Sequence, residues 1–381
     1  MKSTFQKTLR GALWAFAALA VVACVLVLRL VYVGQPAPAN SLQFRGFVLL
    51  PKGALLTVLD YLTVSERSLF VTDESTGSVY KINLHGTALP RDSDVSVFAS
   101  EPATHGVAMD PARRVAYVTR SEANAVDVFD PATMKPLARI PVAEDPDAVF
   151  FDPLHNLVYV ANGDAHLATL IDPDARTVIA TIPLGGKPEF SALDPQTRLR
   201  YQNLRDLNEV VALDLTTRSV VARYPLAGCL EPSGMAIDEQ ARLLFIGCSR
   251  SSTLVVFDLG SHQLTAVIPV GGGPDSVAFD AALHRIYTAG RAGVMTVIEQ
   301  TTPHTYTVLD SIKLHYGAHT LAVDPTTNDV YVGYASLLVR SRVAIFAPRR
   351  PAPAAHSKGS GAASRSMPLA RLAHVDYVNQ D

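Results

Sequence analysis

Six aspartates recur at almost even spacing along this chain, with steps of 42 or 44 residues from one to the next. An aromatic residue stands seven positions after each of them. The aspartates are Asp110, Asp152, Asp194, Asp238, Asp280 and Asp324, and the aromatic residues are Tyr117, Tyr159, Tyr201, Phe245, Tyr287 and Tyr331. A fixed period of this length indicates that one supersecondary unit is copied along the chain.

Each unit contains patterns typical of short β-strands separated by turns. The first strand ends in the landmark aspartate, as in residues 106–110, and the second is centred on the aromatic residue, as in residues 115–119. Four units carry a further acid 20 residues after the first, at Asp130, Asp172, Asp214 and Asp258. Asp followed by Pro, as in Asp110-Pro111, suits a tight turn, because Asp accepts local backbone hydrogen bonds and Pro presets φ. We therefore interpret these acids as structural.

A proline marks the fourth strand of several units. The motifs are Ile140-Pro141-Val142, Ile182-Pro183-Leu184, Tyr224-Pro225-Leu226 and Ile268-Pro269-Val270. Because Pro has no N–H to donate to an interior ladder, it marks an edge strand. Four antiparallel strands with an edge on each side, repeated about every 40 to 45 residues, are typical of a propeller blade.

A degenerate copy of the unit precedes the six regular ones and brings the predicted count to seven. It comprises residues 62–64, 69–72 and 79–82. The last unit has three obvious strands, and residues 44–50 could add its missing outer strand, which would join the two ends of the ring and remove an open edge. The sequence therefore predicts an all-β fold, a seven-bladed β-propeller of four-stranded antiparallel blades over residues 44–347.

Three motifs carry a family resemblance. Tyr159-Val160-Ala161-Asn162, with Tyr117-Val118-Thr119 and Phe70-Val71-Thr72-Asp73, resembles the repeat of the bacterial YVTN-type β-propeller family over residues 45–347. Such propellers are also similar to the haem-binding domain of nitrite reductase and to quinone-dependent amine dehydrogenases, so the fold alone selects no function. The WD40 pattern is absent, and Trp14, the only tryptophan, lies outside the repeats. This argues against tryptophan-docked quinoprotein propellers.

The N-terminal region predicts a membrane anchor. Residues 1–10 are basic, and residues 11–33 are apolar except for Arg29. About 23 residues at ~1.5 Å each reach about 35 Å, enough for a tilted helix to span a ~30 Å hydrocarbon core. The basic start predicts a single-pass protein of the cytoplasmic membrane with the propeller on the periplasmic side.

Two alternatives to an uncleaved anchor remain open. Ala37-Pro38-Ala39 has the spacing of a signal-cleavage site, which would release the protein into the periplasm, although the apolar stretch exceeds the usual ~7 to 15 residues. Val21-Val22-Ala23-Cys24 resembles a lipoprotein box, but more apolar sequence follows it. We expect residues 34–43 to be a linker and residues 348–381, rich in Pro, Ala, Ser and Gly, to be a disordered tail.

Charge and motif content exclude several function classes. The chain has 33 basic and 35 acidic side chains, with no large block of one sign in the repeats. A nucleic-acid partner is therefore not expected, because phosphate binding requires a basic face. The repeats also lack a nucleotide-binding glycine loop, a His-Glu-x-x-His motif, a haem-attachment motif and a nucleophile elbow.

The most specific functional hypothesis concerns the positions five residues before each landmark aspartate. They are His105, Asp147, Glu189, Ser233, Asp275 and His319. Equivalent positions in consecutive blades must form a ring around the propeller axis. Glu231 lies on the same face and is a further candidate ligand contact. The alternative is that these polar residues bind no ligand and only begin strands at a solvated rim.

The two histidines and three acids of this ring, His105, His319, Asp147, Glu189 and Asp275, could coordinate a divalent metal ion such as Zn²⁺, Fe²⁺ or Ca²⁺, or bind a polar cationic ligand. Two function classes follow. The first is a non-catalytic binding or scaffolding module on the outer face of the membrane, for a protein or a small polar ligand. The alternative is a metal-dependent hydrolase similar to six-bladed lactonases, in which an ion activates water. We favour the first, because no nucleophile or general base stands out.

Cys229 and Cys248 are the only cysteines outside the apolar segment, and both fall in one blade. Cys229 precedes the first strand and Cys248 follows the second, so a hairpin centred near Asp238 brings them to the same face. We predict a disulfide, which an extracytoplasmic compartment would maintain. The alternative is a pair of buried free thiols.

Overall fold

The computed structural model describes residues 14, 16–17, 19–25, 34–51, 57–99, 101, 103–335 and 340–349. Residues 14, 16–17 and 19–25 are helical. Within these described ranges, no helix has the length and apolarity needed to cross a membrane. Most of the predicted anchor, the basic start and nearly all of the predicted tail lie outside the described residues.

Besides those helical residues, the described part of the chain contains twenty-eight β-strands and one short 3₁₀ helix, Asp92–Asp94. In chain order the strands are β1 (Leu42–Leu49), β2 (Leu59–Ser65), β3 (Ser68–Asp73), β4 (Ser78–Asn83), β5 (Val95–Phe98), β6 (Thr104–Asp110), β7 (Val115–Arg120), β8 (Ala125–Asp130), β9 (Lys135–Pro141), β10 (Pro146–Asp152), β11 (Leu157–Asn162), β12 (Leu167–Asp172), β13 (Thr177–Pro183), β14 (Pro188–Leu193), β15 (Arg200–Leu204), β16 (Glu209–Asp214), β17 (Ser219–Pro225), β18 (Pro232–Asp238), β19 (Leu243–Cys248), β20 (Thr253–Asp258), β21 (Gln263–Pro269), β22 (Pro274–Asp280), β23 (Arg285–Gly290), β24 (Val294–Thr302), β25 (Thr305–Lys313), β26 (Leu321–Val323), β27 (Val330–Tyr334) and β28 (Arg342–Pro348).

The strands form seven four-stranded antiparallel sheets, which confirms the predicted seven-bladed propeller. Blades one to six are β2–β5, β6–β9, β10–β13, β14–β17, β18–β21 and β22–β25, each in sequential order. Blade seven has the order β1-β28-β27-β26, so its outer strand comes from the beginning of the chain. Leu42 pairs with Pro348 and Leu49 with Arg342. The strands of the propeller thus extend from Leu42 to Pro348, slightly beyond the predicted limits at both ends.

Burial changes systematically from the inside of a blade to its outer edge. Every residue of β7 is buried, because the second strand has a neighbouring strand on each side and a neighbouring blade on each face. The outer strand β21 alternates between exposed and partly buried residues, as a half-solvated edge strand should. The landmark aromatic residues are 0–2% exposed and fill the layers between blades. The core is therefore a series of inter-blade layers.

The landmark aspartates are structural, as the sequence predicts. The Asp152 carboxylate accepts hydrogen bonds from the backbone N–H groups of Leu154 and His155, at 3.0 and 3.1 Å. Asp238 holds the equivalent turn in blade five in the same way. These turns lie at the end of the first strand opposite the predicted ring positions, so the landmark acids take no part in that ring.

Candidate functional site

A β-bulge near the start of the first strand positions the candidate side chains. In blade three, pairing between β10 and β11 is regular at Pro146 and resumes only at Val149, so Asp147 lies inside the irregular stretch. The same irregularity occurs at the start of the first strand in blades one, two, four, five and six. Bulges bend a strand and redirect its side chains. The repeated bulge therefore explains how this position presents a side chain to the central channel.

All six predicted ring residues line one central cavity of about 770 Å³. They come from blades two to seven, one from each. Glu231, the additional candidate, does not line the cavity itself but is joined to it through an ion pair described below. The structure therefore brings the predicted residues to one end of the channel, the channel mouth.

Asp60 occupies the ring position in blade one and was not predicted from the sequence. It gives the ring one residue from each of the seven blades. In blade one the turn after the first strand is two residues shorter, because Ser65 pairs directly with Ser68 whereas Asp110 pairs with Val115. Ser65 also replaces the landmark aspartate. Counting back from the aromatic residue of this blade, Phe70, with the shorter turn taken into account, would have found Asp60.

The first group of ring residues is centred on His105. Its Nδ1 lies 2.7 Å from Asp60 Oδ2 and 3.9 Å from Asp147 Oδ1. Its Nε2 lies 3.0 Å from the hydroxyl of Ser121. The hydroxyl of Tyr61 donates a 3.4 Å hydrogen bond to Asp147. One imidazole is thus held between carboxylates from the two adjacent blades.

A second group is centred on Asp275. Its carboxylate accepts hydrogen bonds from the Ser233 hydroxyl at 2.8 Å and from Arg291 Nε at 2.9 Å. His319 Nε2 lies 3.8 Å from the same carboxylate, while His319 Nδ1 donates to the Gly317 carbonyl at 2.7 Å. His319 therefore belongs to a different cluster from His105.

A third group joins Glu189 to Glu231. Arg205 bridges them, with 3.0 Å between Nη1 and a Glu189 oxygen and 3.0 Å between Nη2 and a Glu231 oxygen. Arg250 lies 3.7 Å from Glu231 on its outer side. The predicted metal set is consequently divided among three groups. In the described part of the chain, the combination whose ligand atoms approach closely enough to share an ion is Asp60, His105 and Asp147.

The environment shifts the ionisation of these groups in different directions. Burial raises the pKa of Asp147 well above its usual range, and the charges of Glu189 and Asp60 raise it further. Burial would lower the pKa of His105, but the hydrogen bond to Asp60 and the charges of Asp60 and Asp147 raise it to about 9. Both shifts are upward and therefore favour the protonated form of each residue.

The other two acids are held by cations. Burial raises the pKa of Glu189, and Arg205 offsets only part of this effect. Burial would also raise the pKa of Asp275, but Arg291, His319 and the Ser233 hydroxyl together lower it below the usual value. Asp275 is therefore favoured in its charged form, unlike Asp147 and Glu189.

Aromatic side chains cross the channel next to the ring. Tyr61 of blade one stacks on Phe190 of blade four, with 5.4 Å between ring centroids and 12° between planes. Phe150 of blade three meets Phe190 edge-on at 5.3 Å. Tyr61 and Phe190 directly follow the ring residues Asp60 and Glu189 in the chain. The charged groups at the mouth thus lie beside an aromatic surface, which the repeat spacing alone does not predict.

The predicted disulfide is confirmed. Cys229 and Cys248 are bonded, with 5.2 Å between their Cα atoms, and both are buried. The bond ties the loop before β18 to the end of β19, two residues from Glu231. In the same loop, the Glu231 N–H donates a 2.8 Å hydrogen bond to the Asn208 side chain. The disulfide and this hydrogen bond together fix the backbone that carries Glu231.

Comparisons with known proteins support the fold and no more. No protein-family model matches the chain. No curated protein matches it either. Among solved structures, it is similar to one described as Kuenenia stuttgartiensis hydrazine synthase, with 15% identity and a TM-score of 0.62 over 74% of this chain and 94% of that one. At this identity the likeness concerns the propeller architecture, which is shared by proteins of unrelated function.

Proposed function

We propose that this protein is a non-catalytic binding module, anchored on the periplasmic side of the cytoplasmic membrane, that binds cationic groups at its channel mouth. The observation that carries the proposal is the charge of the cavity lining. Six carboxylate residues, Asp60, Glu74, Asp145, Asp147, Glu189 and Asp275, face three Lys or Arg residues, Lys187, Arg205 and Arg291. The excess of acid persists when both His105 and Asp147 are protonated, because five acids then face four cations, so the cavity favours a positively charged ligand.

Asp147 is the acid best suited to contact such a ligand. Its polar contacts include a long hydrogen bond from Tyr61 and a 3.9 Å approach to His105. An ammonium or guanidinium group would pair closely with this poorly solvated carboxylate and favour its charged form. The adjoining rings of Tyr61 and Phe190 could add cation–π attraction, worth ~0.5–2 kcal/mol. The ligand class is therefore a small amine or the basic side chain of a partner protein.

The binding test compares N-acetyl-lysine amide with N-acetyl-norleucine amide, which has a similar apolar stem and no charge. Saturation-transfer NMR in chelator-containing buffer should detect the lysine derivative alone, and its binding should weaken in Asp147→Asn and Glu189→Gln. Asp174→Asn, an exposed acid on the opposite side of the blades, is the control and should bind as the parent does. Equal binding of both probes, or unchanged binding in both cavity variants, would contradict the proposal.

The membrane assignment is part of the same proposal and is supported by the apolar residues 11–33 and their basic flank. Carbonate-washed membranes should retain the full-length protein, and protease added to the periplasmic side should digest the propeller. A released protein beginning near Asn40 would instead support a cleaved signal.

The motif Tyr159-Val160-Ala161-Asn162 supports membership of the YVTN-type family. A sequence profile of that repeat that failed to align with the blades would count against it.

A second candidate function is metal-assisted hydrolysis. The observation that favours it is the Asp60, His105 and Asp147 group, whose ligand atoms lie close enough to share one ion. A metal ion there would supply a Lewis acid next to the cavity. The protein would then hydrolyse a γ-lactone. Loss of this activity on adding a chelator, and its return on adding Zn²⁺ or Mn²⁺, would support this candidate. An inactive, metal-loaded protein would leave binding as the function.

A further inference from the structure

Three side chains from consecutive blades direct their ligand atoms to one point at the channel mouth. A ring nitrogen of His105, one Asp60 oxygen and one Asp147 oxygen all lie within 4.8 Å of one another, and Nδ1 lies 2.7 Å from Asp60 and 3.9 Å from Asp147. Each side chain stands at the same bulged position of its blade, so the convergence follows from the repeat itself. Sites built on strands hold their geometry better than sites built on loops.

The other ring nitrogen of His105, Nε2, already has a hydrogen-bond partner. Its Nε2 lies 3.0 Å from the Ser121 hydroxyl, in the loop that follows β7. In metal-free protein Nδ1–H pairs with Asp60 at 2.7 Å. A metal ion would displace that proton while Nε2–H still donates to Ser121, so that the Nδ1 lone pair would point between the two carboxylates. A partner on the non-ligating nitrogen is the usual way in which proteins orient a metal-binding histidine.

Close packing of neighbouring blades keeps His105 beside Asp147. Gly106 follows His105, and a Cβ at this position would lie 2.8 Å from the Asp147 carbonyl oxygen. The Thr119 hydroxyl donates a hydrogen bond to that same oxygen. Blades two and three therefore approach each other at the level of the ligand atoms, which limits how far they can separate.

We infer that Asp60, His105 and Asp147 form a binding site for one divalent transition-metal ion, with its remaining coordination positions open to the cavity. One imidazole and two carboxylates suit Mn²⁺, Fe²⁺ or Zn²⁺, whereas Ca²⁺ takes oxygen ligands alone. The two carboxylates balance the charge of the ion. The inference uses the cavity of the proposed function but does not depend on amine binding.

A rival interpretation of the same contacts is a Ser-His-Asp relay for acyl transfer, because His105 lies between Ser121 and Asp60. Ser121, however, is not among the residues that line the described cavity. The three proposed ligands all are. The metal site is therefore the better-supported interpretation, and the experiment separates the two.

The test uses full-length protein in detergent after dialysis against a chelator. Isothermal titration with ZnCl₂ or MnCl₂ should show one ion per chain, with CaCl₂ binding more weakly. Ser121→Ala should weaken binding by about 10- to 100-fold, because orienting partners typically contribute that much, and Ser121→Thr should restore it. Asp147→Asn and His105→Gln should weaken it at least as much.

His319→Gln is the matched control, because His319 is the other ring histidine and belongs to the Asp275 group. It should bind metal as the parent does. Equal loss in His319→Gln, or no saturable binding in the parent, would overturn the inference. Labelling of Ser121 by a fluorophosphonate in the chelator-treated protein would also overturn the inference.

If the ligand variants fail to fold, pulsed EPR of the Mn²⁺-loaded parent should still detect one imidazole nitrogen bound to the ion. Absence of that nitrogen signal would overturn the inference. The lysine-derivative experiment is run in chelator, so either proposal can fail alone.

Discussion

Asp60 and His105 form an ion pair across the boundary between blades one and two, with 2.7 Å between the carboxylate oxygen and Nδ1. The pair has a consequence for stability in metal-free protein. The pKa of folded His105 is about 9, above its unfolded value of 6.5. Its stabilising contribution is therefore fully present below pH ~6.5 and is lost as the pH rises through the folded pKa.

The Asp60→Asn variant should lower the pKa of His105, because it removes the hydrogen bond and charge that raise it. NMR titration of the His105 ring protons measures the change directly. The difference in unfolding free energy between parent and variant should narrow as the pH rises from 6.5 through 9. Glu74→Gln is the control and should shift this pKa less, since Glu74 is the weakest of the named contributors. An unchanged His105 titration in Asp60→Asn would contradict the assigned cause.

The Asp127→Asn variant should be strongly destabilised at neutral pH. Arg120 is fully buried and pairs with Asp127 at 3.0 Å, and Arg139 approaches the same carboxylate at 2.6 Å. Removing one member of a buried ion pair costs about 3–5 kcal/mol, because the remaining charge loses its counter-ion. Chemical denaturation measures the loss, and Glu122→Gln in the next turn is the control.

The pH dependence of this second effect runs in the opposite direction. Burial would raise the pKa of Asp127, but Arg139 and Arg120 lower it below the usual value. The contribution of the carboxylate is therefore present above its unfolded pKa, about 3.9, and is lost as the pH falls through the lower folded pKa. Parent and Asp127→Asn should converge in stability only in strong acid. Convergence at alkaline pH would show that the ion pair was wrongly assigned.

The disulfide should contribute measurable stability. The bond joins residues 19 positions apart, and closing a loop of that length is worth about 3 kcal/mol in the chain-entropy model. The Cys229→Ser, Cys248→Ser double variant should lose about that amount, and a reducing agent should destabilise the parent alone. Mass spectrometry of the non-reduced protein provides the check. Two alkylatable thiols in protein from its native compartment would rule out the bond.

The outer strand of blade seven should be essential for cooperative folding. Strand β1 buries Leu42 and Val48, each 1% exposed, and burial of such side chains contributes about 1.5–3 kcal/mol apiece. A variant that begins at Leu50 should therefore lose more than about 3 kcal/mol, whereas one that begins at Pro36 should not. Thermal unfolding compares the two. Equal transition temperatures would mean that β1 is dispensable.

The sequence predicted the fold more completely than the site, and the reason is physical. Period, turn aspartates and edge prolines are local features, and they are sufficient to specify blades such as that of Asp152. Asp60 escaped detection because its blade has a shorter turn and Ser65 in place of the landmark acid. The division of the ring residues into three groups could not be predicted from the sequence. Whether Arg205 contacts Glu189 or another acid depends on side-chain reach across the channel, which spacing does not encode.

The pairing of β1 with β28 also determines when blade seven can form during synthesis. The two strands are about 300 residues apart in the chain, so β1 cannot find its partner until β28 has been synthesised. Until then a nascent chain carries two unpaired strand edges, the kind of surface that invites association with other chains. A molecule threaded across a membrane during synthesis would face this interval outside the cytoplasm. For a propeller exported as proposed, periplasmic chaperones that shield strand edges would matter more for the yield of folded protein than for its final stability.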